Sequence, residues 1–282
     1  MGEKQTVILG GGVTGAIAAF YLPDSIVIDK GVTPEFLGPH YVWDTPETRK
    51  LCEDLGLPIN KRKVRIGVWY DGKFVEPDAR LRNLYRLKLD DMTASMSELN
   101  DTIDVIDITF EALHKALLDR IKDRLRVGTV TRVTQTKVNS TAGTFDADEI
   151  ISTIPLIDLL ELMGQKTDKL ASTYQPLTFV LIDLPKSHHF WKSGYDYIYF
   201  PGPDELFYRL TLGEPCVLEF VNSTVVIPQD ATLISIRRKK YGRITKKIEA
   251  DVGNIKLLGR YGRWEPRWRL QDTIREVLRW KS

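Results

Sequence analysis

The chain has 282 residues, 43% of them hydrophobic, and a formal net charge of +2, which suits one large or two modest domains around a sizeable core. No apolar run reaches the roughly 18–20 residues that cross a bilayer, and a first strand already under way at Thr6 leaves no room for a leader, so a cytoplasmic, non-membrane protein is expected. Cys52 and Cys216 form no CxxC pair, and His40, His114, His188 and His189 lack ligand spacing, which argues against a redox dithiol and against a metal site.

Residues 7–30, VILGGGVTGAIAAFYLPDSIVIDK, carry the strongest local signal. An apolar strand runs into Gly10-x-Gly12-x-x-Gly15, a small-residue helix follows, and a second strand closes on Asp29 and Lys30. Gly10 permits the tight turn, Gly12 lets backbone approach a pyrophosphate, and Gly15 lets helix pack closely on strand. The helix N-terminus, reached through Gly11 and Thr14, offers unpaired N–H groups and a partial positive charge to phosphates. Asp29 stands where a ribose hydroxyl finds its acceptor. These parts in register predict a dinucleotide site, and leave open whether the dinucleotide is NAD(P) or FAD.

Further along, a helix is expected over Glu47–Leu55, ended by Gly56. KVRIGVWYD and KFVEP read as a hairpin turning at Asp71-Gly72. Residues 78–108 read as a small helical or irregular segment covering a site. Phe110–Arg124 patterns as an amphipathic helix with Leu113, Leu117, Leu118 and Ile121 on one face. His114 lies beside that face and reads as structural or solvent-exposed. Residues 125–156 give a β-meander that returns to the apolar Ile150-Ile151 and ends Ser152-Thr153-Ile154-Pro155. Four further runs, 177–184, 195–200, 206–212 and 216–221, predict a second, mainly antiparallel sheet. The chain closes with a strand, the Gly259-Arg260-x-Gly262 turn and a helix from about Arg269. Residues 237–282 hold 15 Lys/Arg against 5 Asp/Glu, a net +10, which leaves 25 against 33, a net −8, for the rest. That basic end is either a solvated loop or edge strand, or a footprint for a polyanion, nucleic acid or nucleotide.

Three features push toward FAD: no run of βαβ units completes an NAD-type half, a meander leads to Thr153, and a second glycine turn opens a helix. In the blocks ILGGGVTGAIAAFYL…IVIDK, ADEIISTIPL, YIYFPGPDELFYRLT and GRYGRWEPRWRLQDTI the chain resembles the FAD-dependent amine oxidase clan, which includes protoporphyrinogen-oxidase-like proteins and UDP-galactopyranose mutases. The resemblance implies an α/β fold, with a Rossmann-like FAD-binding domain (1–75, 106–165 and 250–282) and a reduced mixed or antiparallel β substrate domain (76–105 and 166–249). It places the pyrophosphate on Gly10, Gly12 and Gly15 and the adenosine ribose on Asp29. Val130 then meets the adenine through its backbone and Thr153 lines the cofactor. Gly259 and Arg260 bind pyrophosphate or ribityl, and the helix start at Arg269-Leu270 faces the flavin. The chain departs from the clan in its short length, in Asp at the second strand's end where Glu is usual, and in a single glycine within Phe36–His40.

For catalysis, His40 in Gly38-Pro39-His40-Tyr41-x-Trp43 is a candidate base or flavin-site donor, or else a loop anchor. Tyr197, Tyr199 and Tyr208 wall a pocket, as an amine cage needs, or pack a core. Arg209, a charge on an apolar strand, calls for a partner: a substrate phosphate or carboxylate, or an internal acid. Trp264 and Trp268, set among Arg263, Arg267 and Arg269, are placed to stack a base or sugar, or to cap a surface helix. The expected activity is FAD-dependent oxidation of a small-molecule or nucleic-acid-linked amine at its C–N bond. The alternatives are mutase-like non-redox use of flavin on a sugar nucleotide, and a non-catalytic flavin protein docking nucleic acid through residues 237–282.

Overall fold

A computed structural model describes residues 5–31, 34–91, 102–221 and 224–281. The chain opens β1 (Thr6–Leu9), α1 (Val13–Tyr21), β2 (Ser25–Asp29), β3 (Val42–Trp43), α2 (Pro46–Leu55), β4 (Lys61–Tyr70), β5 (Lys73–Phe74), α3 (Ala79–Lys88), β6 (Thr102–Ile106) and α4 (Phe110–Ile121). A 3-10 turn over Lys122–Arg124 finishes the helix expected to run to Arg124. There follow β7 (Leu125–Val127), β8 (Val130–Val133), β9 (Lys137–Ser140), β10 (Gly143–Asp146), β11 (Glu149–Ser152), α5 (Leu156–Leu162), β12 (Tyr174–Asp183), α6 (His189–Lys192), β13 (Tyr197–Tyr199), β14 (Arg209–Thr211) and β15 (Cys216–Phe220). The last elements are β16 (Thr232–Ile244), β17 (Lys256–Leu257), α7 (Gly259–Gly262) and α8 (Leu270–Lys281). Of the segment 78–108, residues 92–101 lie outside the described residues; the rest holds α3, β6 and the short loops at 89–91 and 107–108.

Local chemistry sets several boundaries. Thr45 caps α2 in a reciprocal capping box with Thr48, Pro46 starts the helix, and Gly56 ends it in the left-handed region at φ 71°. Asp71 and Gly72 both have positive φ, 53° and 72°, the geometry of a two-residue hairpin turn between β4 and β5.

Among the described residues β17-β11-β1-β2-β7 form a five-stranded sheet, parallel at every pairing. Both faces are buried, as parallel sheets require. Ile8, Val27 and Ile151 pack under α1, α4 and α8, while Val7, Leu9, Ile28 and Ile150 pack under α5 and the meander β8–β10. The second sheet runs β16-β12-β15-β14-β13-β4-β6-β3, with β5 attached to β4, and β13 meets β4 in parallel. One face carries Val64, Ile66, Phe179, Tyr199 and Tyr208 beneath Leu81, Tyr85 and Leu89 of the α3 segment; the other packs Val180, Ile198, Leu210 and Phe220 around Phe190. The fold is thus the expected α/β one: a Rossmann-like parallel sheet beside a mixed, largely antiparallel one. Residues 42–43, 61–70 and 73–74, assigned from sequence to the cofactor domain, lie in this second sheet. No helix among the described residues is long and apolar enough to cross a membrane.

Candidate active site

The glycine turn sits at the C-terminal edge of the parallel sheet. Gly10 takes φ 95°, and Cβ atoms on Gly10 and Gly15 would strike the Thr153 hydroxyl and Gly10 O. Gly11 donates its N–H to Asp29 Oδ2 at 2.7 Å, and its carbonyl accepts from His114 Nε2 at 2.7 Å. A Cβ on Gly12 would meet nothing within 4 Å. No side chain caps α1 and no acid lies in its first turn. The helix therefore presents its first N–H groups to open space, the arrangement that receives an anion.

Elements distant in sequence complete this cradle. Thr153 donates its hydroxyl to Leu9 O at 2.8 Å and to Gly10 O at 3.2 Å, propping the turn from β11's end. Gly259 presses on Thr14, so closely that a Cβ there would lie 2.6 Å from the Thr14 methyl, and Gly262 presses on Ser152 O in the same way. Asp29 is engaged on both oxygens: Oδ1 accepts from Gly31 N–H at 2.7 Å while Oδ2 holds Gly11. A carboxylate oxygen accepts more than one hydrogen bond, so a ribose hydroxyl still has lone pairs there. Lys30 is exposed at the strand end. Val130 opens the meander just past Val127 and Gly128, which abut Asp29 through the β2–β7 pairing and the Gly128 N–H bond to Asp29 O.

Beside the cradle lies a cleft of about 970 Å³, between the second sheet and the segment leading into α8. His40, Tyr199, Arg209, Arg260 and Arg269 line it together. Its wall has eight Lys/Arg, at 209, 239, 243, 246, 247, 260, 267 and 269, against three acids, Asp91, Glu219 and Glu265. Three of the cations are compensated: Arg243 by Asp91 at 2.6 Å, Lys247 by Glu265 at 2.9 Å, and Arg209 by Glu219. Arg260 has no ion-pair partner among the described residues; enclosure, with Arg243 and Arg209 nearby, pushes its pKa down. The side chain still meets solvent, because what encloses it is the wall of an open cleft.

The partner that Arg209 calls for is Glu219, on the neighbouring strand. The guanidinium donates to both carboxylate oxygens at 2.7 Å, and Tyr208 OH adds a third bond at 2.6 Å. Glu219 is 1% exposed, so three donors surround a carboxylate that has no water to replace them. Of the two partners expected for Arg209, a substrate anion or an internal acid, the structure supplies the internal acid. Tyr199 and Tyr208 reach the cleft wall, whereas Tyr197 stacks on Tyr41 with ring centroids 6.1 Å apart. His40 opens onto the cleft, and its pKa is lowered by desolvation among the surrounding walls and by Lys239. The neutral imidazole is then the resting form at neutral pH. Trp264 is fully buried, its indole N–H on Thr173 Oγ1 at 3.0 Å, which removes it as a stacking platform. Trp268 lines the cleft, with Arg263 over its ring at 4.4 Å. Arg269 lies over Trp43 at 3.9 Å, and Leu270 packs on the core that Ile8, Val27 and Ile151 form with α1, α4 and α8.

Sequence reasoning passed over Glu219 and Tyr85, and it read His114 as structural or solvent-exposed, whereas the side chain is buried against Gly11 O. Glu219 left a trace, a lone acid in the apolar CVLEFV. Tyr85, in a helix, and His114, whose target is a backbone carbonyl 103 residues away, left none.

A glycine turn on an uncapped helix, backed by a parallel sheet and joined through Gly259 and Arg260 to a cleft beside a second sheet, defines a two-part Rossmann-like fold. That is the fold of known flavoproteins. The chain is similar to reduced UDP-galactopyranose mutase, with a TM-score of 0.69 at 15% identity over 96% of this chain and 93% of that one. A protein from Exiguobacterium designated a protoporphyrinogen oxidase gives 0.62 at 11% identity, over 100% and 98%. A putrescine oxidase variant gives 0.52 at 10%, over 78% and 76%. Comparison with family models and with curated proteins gives no match.

Proposed function

We propose that this chain is an FAD-dependent oxidoreductase whose substrate carries phosphate or another strong anion. One observation carries the reading: an open, uncapped glycine cradle is joined, through Gly259 against Thr14 and the adjacent Arg260, to a cleft whose cations outnumber its acids. The residues present fit the cofactor. Gly12 leaves the space a pyrophosphate needs, the α1 terminus supplies donors, Asp29 stands at the ribose end, and Arg260 follows the Gly259 that seals the cradle. Bound there, FAD would supply the redox chemistry. The chain's own part is to bind, orient and hold protons. Arg260 offers a charge with no partner among the described residues, Arg267 and Lys246 extend that field, and His40, neutral at rest, is placed to accept a proton from whatever enters the cleft.

The field bears on the substrate. A free cationic amine entering between Lys239, Arg260 and Arg267 meets like charge, whereas a nucleotide-linked amine brings its own counter-charge. The amine reading is therefore held in its nucleotide-linked form. Non-redox use of reduced flavin on a sugar nucleotide draws on the same cations. Support for a nucleic-acid surface is thinner, since Arg237, Lys256, Arg275 and Arg279 are each committed to nearby acids.

The test begins with the purified chain: a visible flavin band, released as FAD on denaturation, is expected. Nucleotide-linked and free amines are then compared for anaerobic bleaching of the flavin, and UDP-sugars for turnover after dithionite reduction. Bleaching by phosphate-bearing amines alone supports oxidation, and turnover only when reduced supports the second reading. A chain that takes up no FAD sinks both.

A further inference from the structure

We propose that His114 is a positioning residue for the cofactor's pyrophosphate, acting through the Gly11–Gly12 peptide; this rests on the FAD reading above. His114 is 5% exposed on α4, its Nε2 lies 2.7 Å from Gly11 O, and a carbonyl only accepts, so Nε2 carries the proton. On the other side Asp29 Oδ2 holds the Gly11 N–H at 2.7 Å. Gly11 is thus gripped at both of its backbone polar groups, one by a residue 18 positions on and one by a residue 103 positions on.

The geometry of a trans peptide gives this grip a consequence. C=O and N–H of one peptide unit point in opposite directions. With the Gly11 carbonyl turned toward α4 by His114, the Gly12 N–H of the same unit points away from α4. Gly12 N–H has no partner among the described residues, and the side of Gly12 where a Cβ would stand is open. Without the imidazole, a glycine-glycine unit next to a positive-φ glycine is free to rotate, and the donor is no longer fixed.

The same side chain reaches toward the cleft. Phe36 lies edge-on to the His114 ring at 6.0 Å and to His40 at 6.0 Å, and Phe110, one turn before His114 on α4, lies 5.5 Å from Phe36 and 5.6 Å from His40. One face of α4 therefore seats both the glycine turn and the loop that carries His40.

The experiment compares His114→Gln with His114→Leu in the full chain freed of flavin. The two side chains are close in volume, but only glutamine can donate to Gly11 O. Thermal midpoints without ligand are measured first, and FAD is then titrated by fluorescence quenching. We expect His114→Leu to bind FAD about tenfold more weakly than the unmodified chain, the loss of one fixed hydrogen bond, and His114→Gln to recover most of that loss. A purely structural histidine would lower the thermal midpoint in both variants without separating their FAD affinities. Equal FAD affinity of the two variants, tight or weak, overturns the inference and leaves the FAD reading standing. No FAD uptake by the unmodified chain overturns that reading, and the inference with it.

Discussion

Gly12 and Gly15 are three residues apart in one motif, yet their backbones are constrained for opposite reasons. At Gly15 the space belongs to Gly10 O, so Gly15→Ala forces helix from strand and is expected to destabilise the chain by about 1–3 kcal/mol, as overpacking does; urea unfolding measures it. At Gly12 the backbone is extended and the space is empty. Gly12→Val is expected to leave the unfolding midpoint nearly unchanged while FAD binding falls below detection in the same titration. A Gly12→Val chain that still binds FAD would place the phosphates elsewhere. The Arg209–Glu219 pair gives a second contrast. Arg209→Ala strands a buried carboxylate and should cost about 3–5 kcal/mol. Glu219→Gln keeps acceptor and shape beside Arg209 and should cost less, by the same denaturation measurement. Of these residues, the glycines and Arg209 stand out in the sequence because each breaks a local pattern. His114 does not, because its partner is a backbone carbonyl that any sequence supplies.

The elements most legible from the chain are those whose ends are set locally: α1 after its glycines, α2 between Thr45 and Gly56, the Asp71-Gly72 hairpin, α4 by its stripe. Strands were harder to assign to sheets. β4 reads as half of a hairpin, and that is correct for β5, but its other neighbours are β6 and, in parallel, β13, more than 100 residues away. Nothing in residues 61–70 encodes that pairing, so the sequence shows the hairpin and not the sheet it joins. β16 was half legible, since its run of Lys and Arg fits either a loop or an edge strand, and charge on an edge discourages further pairing. Asp44 ties three of these elements together, linking the end of β3 to Arg49 of α2 and Lys61 of β4. The Arg49 hydrogen bond, followed by Lys61, holds its carboxyl down to about 2, against an ordinary 3.8. A depressed carboxylate stabilises the fold fully above its ordinary pKa, and that contribution is lost as pH falls toward the folded value. Stability is therefore expected to decline between about pH 4 and pH 2, and Asp44→Asn should flatten that part of the profile when unfolding free energy is followed against pH.

At the scale of the whole molecule, the proposed cofactor site is assembled from β1, α1, β2, β11 and α7, and the cleft is lined by the loop at 37–40, α3, the second sheet and the segment before α8. FAD contacting so many separated pieces should stabilise their union. At a free concentration a hundredfold above its Kd, the ligand adds about 2.7 kcal/mol. For a chain of this size that corresponds to a rise of several degrees in Tm, which calorimetry with and without FAD will read; an unchanged Tm at saturation contradicts binding to the folded state. The sequence showed the glycine motif and the uncapped helix behind it. It showed the basic end as well, since seven of the eight cleft cations lie within residues 237–282, but not that the fold turns those seven and Arg209 onto one hollow.

The contact between Gly259 and Thr14 bears on the order of events in synthesis. The glycine turn leaves the ribosome early, but the strand that flanks β1 on its other side, β11, emerges some 140 residues later. The residues that close the cradle, α7 and the α8 side chains Ile274 and Val277 that share a core with Ile8 and Ile17, come later still. A nascent chain carrying the complete GxGxxG motif still lacks the strand and the helices that pack around it. Flavin uptake is therefore expected only once α7 and α8 have folded onto β1 and α1, and a chain cut before residue 256 is expected to take up none when titrated with FAD.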